Sequence, residues 1–273
     1  MIFLIIEQSL MALPLIMGAY ITLSLLKLPD FTIESAYLFG AVAAYLTRDC
    51  SMLTILSVAF LGGLLIGGLV CTLNQYLKLP FLLAAIVTNG LVHGLTQYLL
   101  GTSTVSFHPH CAVSEITLFS LVGIILIVMI GLICRSQLGY SFAIYGNNPL
   151  FFHHHSVSGQ FVMYAGVMIA HGCAGISGFL FAKSNGFVDL TMNFGVILLC
   201  LTALILGKLF IQSPRPHILI PLIGILGYFS IQQMLLRLGL DLKYFNSFQA
   251  LFILAVLFIG HKKQKITLNH LGV

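Results

Sequence analysis

Hydrophobic residues run along this chain in blocks of membrane-crossing length, separated by short polar breaks. The blocks show neither the strict alternation of a half-buried strand nor the one-sided stripe of a surface helix. About 20 apolar residues in helical form span the hydrocarbon of a bilayer, so each block predicts a membrane helix. The expected bounds are 2–26, 36–47, 52–76, 81–100, 116–134, 160–183, 191–211, 217–236 and 245–261, with 36–47 the shortest. That makes about nine transmembrane or re-entrant helices. The main polar interruption is Arg135–Ser158, which carries Gly146-Asn147-Asn148-Pro149. Lipid satisfies neither the backbone nor the polar side chains of such a segment, so it lies outside the hydrocarbon.

Composition narrows the fold class. The 273 residues are 59% hydrophobic and only 7% charged, with a mean hydropathy of +1.06. Soluble domains carry roughly 25% charged residues, which excludes a water-soluble fold. A transmembrane β-barrel alternates over segments of about ten residues, which these blocks do not do. The expectation is an all-α polytopic membrane protein in a bacterial cell (inner) membrane, with one transmembrane domain over 1–273. The formal net charge of +5 is scattered singly between the blocks. That pattern suits topology control and argues against a nucleic-acid partner. With 135–158 in the cytoplasm, Lys27, Lys78, Arg135, Lys208, Arg215, Lys262, Lys263 and Lys265 fall inside. Arg48, Lys183, Arg237 and Lys243 fall outside, and so does the amino terminus. If 31–47 re-enters without crossing, the start of the chain flips. The amino-terminal run lacks a basic n-region and reads as a retained first span. The six cysteines form no CxxC pair and read as small membrane hydrophobes.

Polar residues inside the blocks are the candidate chemistry. Asp30 and Glu34 open the second block, where a carboxylate entering the bilayer costs about 2.5–3.5 kcal/mol unless it faces protein or water. They read either as a capped helix start or as the lining of a cavity. A similar phrase recurs, with Phe187–Gly195 matched to Phe31–Gly40 and with Glu34 and Asp189 each near the entry. Duplicated halves with discontinuous helices are a transporter pattern. In the fourth block Asn89, His93 and Gln97 share one helix face beside Thr88, either as interhelical hydrogen bonds or as a wet pathway. Glu34, Thr88, Asn89, His93 and Asn193 are the candidate path-lining residues. The glycines of the third and sixth blocks predict close helix packing.

Two other chemistries are spelled in the chain. Gly175-Ile176-Ser177-Gly178 gives the G-x-S-G of intramembrane serine proteases, with His217 or His261 as the base, yet both histidines fall at span ends. His108, His110 and Cys111, and the run His153-His154-His155, offer metal ligands and hence a metal-ion substrate. No G-x-x-x-x-G-K-[ST] exists, so this chain holds no nucleotide by a Walker loop.

Four stretches carry a family resemblance in the right order: Gly18–Ala41, Phe81–Gly101, Arg135–Pro149 and Gly175–Gly195. Together they resemble permease subunits of bacterial ABC importers in the branched-chain amino acid/ribose superfamily, and within it the tryptophan/tyrosine-type transport permeases. The resemblance implies a cytoplasmic coupling segment at 135–159 that docks on a separate ATP-binding subunit. Leu138, Gly139, Gly146, Asn148 and Pro149 match that segment, and Asn147 stands where the family has Asp. It also implies a second permease copy (a homodimer), an external binding protein or lipoprotein, and ATP with Mg in the partner subunit, with no cofactor in this chain. The implied cargo is a small solute such as an amino acid, with a metal ion or another small molecule as the alternative. The chain departs from the pattern at Ala143 for Arg, Ile144 for a small residue, Leu150–His155 for acidic, basic and small residues, His171 for Asn, and Lys208 for Glu.

Overall fold

A computed structural model describes residues 2–108, 114–154, 158–211, 213, 215–241 and 244–270. Each hydrophobic block forms a helix, most within four residues of the expected bounds, while the 191–211 block turns helical only at Val196 and the last helix runs nine residues past 261. The helices begin with α1 (Ile2–Ala19), α2 (Thr32–Leu46), α3 (Met52–Tyr76), α4 (Phe81–Leu100) and α5 (Glu115–Arg135). After α6 (Gln137–Asn147) and a 3-10 turn at Pro149–His154 come α7 (Gly159–Asn185), α8 (Val196–Phe210), α9 (Leu219–Arg237) and α10 (Phe245–His270). Two short strands, β1 (Thr104–Ser106) and β2 (Phe187–Asp189), pair antiparallel with Val105 opposite Val188.

Six helical segments are long and apolar enough to cross a membrane, while Thr32–Leu46, Val196–Phe210 and Phe245–Val256 are apolar but shorter. The expectation of about nine is therefore met at full length by six. Both α2 and α8 have 15 residues, about 22 Å of helix. A hydrocarbon layer of about 30 Å exceeds that length. These two are the re-entrant-length pieces of the fold. The first span carries on from α1 into a π-helical turn at Tyr20–Leu25, where Leu26 N–H donates to Ile21 O at 2.9 Å.

The central helix is α7, which packs on α1, α2 and α3 and is the most buried of the long spans. Lipid offers no hydrophobic drive between helices, so packing rests on backbones that approach closely. A Cβ at Gly178 would stand 1.8 Å from Tyr37 O, and one at Gly63 would stand 2.1 Å from His171 O. Only glycine lets α2 and α3 lie this near α7. Gly178→Val therefore forces the α2 backbone away, at or above the ~1–3 kcal/mol usual for overpacking. We expect a lower unfolding midpoint for this variant in detergent. Gly68→Ala, whose Cβ would meet only Met168 Cε at 3.8 Å, leaves the midpoint unchanged.

Candidate functional site

The start of α2 is held by a buried polar trio. Asp30 Oδ1 accepts from Thr32 N–H at 3.0 Å and lies 2.6 Å from Thr32 Oγ1. Thr32 Oγ1 is in turn 2.6 Å from His171 Nε2, while His171 Nδ1 is 2.8 Å from Val167 O. All three residues have no exposed surface. The Val167 carbonyl only accepts, so Nδ1 carries a hydrogen. The threonine hydroxyl donates to Asp30 Oδ1, so it is the link between the carboxyl group and the imidazole.

The same local chemistry recurs before α8. Asp189 Oδ1 accepts from Thr191 N–H at 2.7 Å and from Thr191 Oγ1, as Asp30 does from Thr32. An Asp-x-Thr turn therefore precedes each 15-residue helix. The repeat seen in the sequence takes a different register, with Asp30 matching Asp189 and Glu34 matching Asn193. Asp189 also accepts from Thr104 Oγ1 across β1–β2. Hydrogen bonds from Thr104 and then Thr191 hold its carboxyl below the usual range.

The five path-lining candidates fall in three places. Glu34 Oε1 accepts from Ile197 N–H at 3.1 Å, so an α2 carboxylate caps the first turn of α8. Asn193 belongs to the turn just before that helix, its carbonyl accepting from Val196 N–H at 3.2 Å. Asn89 ties α4 to α2, with Oδ1 accepting from Ser35 Oγ at 2.5 Å and Nδ2 donating to Phe31 O at 3.3 Å. Thr88 is buried and donates back to Ala84 O at 2.8 Å, as a mid-helix threonine does. His93 lies exposed on the outer face of α4, beside exposed Gly90, Gly94 and Gln97. The sequence reading passed over His171 as a helix partner, although its polarity inside a glycine-rich span was a usable signal.

The polar interruption folds as α6 and the 3-10 turn, tight against the bundle. A Cβ at Gly146 would stand 2.0 Å from Leu25 O, and one at Gly139 would stand 2.3 Å from Ile133 O. Asn147 accepts from Lys27 Nζ at 2.5 Å and donates to Ala143 O at 2.8 Å. Behind this contact is a cavity of about 590 Å³ lined by Lys27, Lys208 and Arg215, with no carboxylate in its lining. The opposite face of the segment leaves Leu138, Tyr140, Ile144, Asn148, Pro149 and Leu150 exposed.

The alternative chemistries fare differently. Ser177 is buried and its hydroxyl donates to Met11 O at 2.8 Å. His217 instead packs by Tyr20, whose hydroxyl accepts the His217 N–H at 2.9 Å. Tyr20 lies about 13 Å further along the same span than Met11, so this histidine is not placed to take the Ser177 proton. His110, Cys111 and the His153–His155 side chains lie outside the described residues. Among the described residues no group of three His, Cys, Asp or Glu could hold a metal ion.

The described residues form a multi-pass helical bundle with two half-length helices and a folded polar segment. The chain belongs to the family described as branched-chain amino acid transport system / permease component, which it matches over residues 1–259. It is 27% identical to an uncharacterized protein of Rickettsia prowazekii over 249 residues, 86% of this chain and 89% of that one. It is also 27% identical to a tyrosine transport system permease protein of Clostridioides difficile over 210 residues, 74% of this chain and 71% of that one. No solved structure matches. The family and the apolar helices make this a multi-pass protein of the bacterial inner membrane.

Two outcomes follow. His171→Leu strips Asp30 and Thr32 of a buried partner and costs about 3–5 kcal/mol, whereas His171→Asn retains a donor and costs less. Denaturant midpoints in detergent measure both. Because the folded Asp189 carboxyl titrates below its unfolded value, its contribution is present above about pH 4 and lost as pH falls through the lower folded value. Hydrogen exchange at Val105 and Val188 should rise over that acid window, and Asp189→Asn should abolish the step.

Proposed function

We propose that this chain is the membrane-spanning subunit of an ATP-driven importer for a small, partly apolar solute such as an amino acid. The observation that carries the reading is the exposed apolar face of α6 and the turn after it, where Leu138 is 39% and Leu150 is 68% exposed. This segment stands outside the hydrocarbon, so its leucines face water unless a protein covers them. A helix laid into a hydrophobic groove of an ATP-binding subunit does that. The ATP and Mg belong to that subunit, because this chain has no Walker loop.

The α4 face supports a second copy as partner. His93 and Gln97 are costly against lipid, and the bare Gly90 and Gly94 beside them admit a close backbone. A two-fold pairing of this face with itself covers the polar groups and puts them at a central path. An external binding protein delivers the solute to that path. The name of the Clostridioides difficile relative favours an amino acid.

In this mechanism, approach of the two ATP-binding subunits moves α6. The glycine contacts to Leu25 and Ile133 pass the motion to α1 and α5. Leu150→Asp places a charge in the docking face without touching the bundle. We expect normal membrane insertion, loss of co-purification with the ATP-binding subunit, and uptake reduced at least about tenfold, since a buried unpaired charge in an interface costs several kcal/mol. Normal uptake in that variant would remove the docking assignment.

A further inference from the structure

Away from α4 and α6, the bundle contains a cavity of about 300 Å³ between α1, α7, α8, α9 and α10. Its walls are aromatic and thioether groups, among them Tyr37, Phe181, Phe194 and Phe245. Its polar lining is neutral, consisting of Gln8, Ser177, Tyr228, Gln232, Asn246 and Gln249, with no charged side chain. Two of these are unusual. Gln232 Oε1 and Gln249 Oε1 are buried acceptors with no hydrogen-bond partner, although Gln249 is 97% buried at 3% exposure. The amide of Gln249 is fixed in place because its Nε2 donates to Tyr228 Oη. Of the other polar groups, Gln8 Oε1 accepts from Gln233 Nε2 at 3.1 Å and Ser177 Oγ donates to Met11 O at 2.8 Å.

Buried acceptors in proteins are nearly always satisfied, so two open ones lining a single cavity mark a place for a donor. A dry cavity of roughly 150 Å³ holds benzene, and binding sites begin at about 300 Å³. From these observations we propose that each copy of this chain holds a binding site for a small uncharged amphiphile, with a flat apolar body against the aromatic walls and O–H or N–H donors to Gln232 and Gln249. A phenol or an indole, with one donor hydrogen, satisfies either oxygen, and a primary amide, with two, satisfies both. The floor of the cavity is the first turn of α8. Asn246 lies over Gly195, where a Cβ would stand 2.7 Å from the Asn246 amide atoms, so a ligand here touches the helix that Glu34 caps. The site stands apart from the path proposed at the α4 face and does not depend on ATP coupling.

The chain contains no tryptophan, so Phe194→Trp puts a single indole reporter in the cavity wall. We titrate the purified chain in detergent with p-cresol and with p-xylene, which has similar size and no donor. The expected result is a saturable fluorescence change with p-cresol, with p-xylene about tenfold weaker for the lost hydrogen bond. Gln249→Leu in the same background should weaken p-cresol toward p-xylene, and Gln232→Leu with Gln249→Leu together should bring the two probes to equal affinity. If the double variant is not monodisperse on size exclusion, either single variant gives the same direction of change. Equal affinity for the two probes would overturn the proposal, as would a response that rises linearly with micelle loading or a cavity occupied by water alone. Because no ATP-binding subunit is present, these results are independent of the uptake outcome for Leu150→Asp.

Discussion

The start of α2 lies inside apolar protein, and the fold depends on how that start is satisfied. A helix beginning there leaves backbone N–H groups and a carboxylate with no water to turn to. Asp30 answers the Thr32 N–H, and His171 answers Thr32 and approaches Asp30 to 3.7 Å. The cost of burying these groups is offset only if all three are present together, because each supplies a hydrogen or a lone pair that another needs. His171 sits on α7 where α3 comes within glycine distance, so the packing of three helices and the polar trio constrain one another. This is why the central span is rich in glycine yet carries a histidine.

Much of the architecture is legible in the sequence. Apolar runs mark helices because lipid accepts no other backbone, and α3 and α4 coincide with their expected bounds at both ends. What the pattern could not reveal is partnership across long separations. Hydropathy marks Asp30, Glu34 and Asp189 as unusual, yet only tertiary contact shows that Asp30 is the counterpart of Asp189 while Glu34 reaches α8. The face shared by Asn89, His93 and Gln97 was readable by spacing, but not that Asn89 turns inward to Phe31 and Ser35 while His93 faces out. Gln232 and Gln249 gave no signal at all. They sit on different helices, and their open oxygens exist only once α9 and α10 pack.

The departures in the polar segment gain a physical meaning. The family's Asp is Asn147 here, and its Lys27 contact is therefore a hydrogen bond to a neutral amide. Lys208, where the family has Glu, faces the same cavity as Lys27 and Arg215. Three cations without a carboxylate in the lining make this side of the segment more basic than the family pattern. In the proposed transporter the ATP-binding partner thus meets an apolar surface backed by positive potential, which selects for a partner surface that is apolar with acidic margins.

The segment and the helix starts are linked through one short stretch of chain. Leu25 carries the carbonyl against which Gly146 packs, Lys27 holds Asn147, Asp30 is fixed to Thr32 beside His171, and Glu34 caps α8. These contacts fall within ten consecutive residues, Leu25–Glu34. Any displacement of α6 toward a partner must therefore either slide past Leu25, which the glycine contact leaves no room for, or carry the stretch with it. Carrying it moves the start of α2, and the Glu34 carboxylate passes the motion to the first turn of α8 without a helix having to bend. The half-length of α2 and α8 is what makes this feasible. A full span would be anchored at both membrane surfaces, whereas a helix that starts within the bundle is held by a few polar contacts that can shift together.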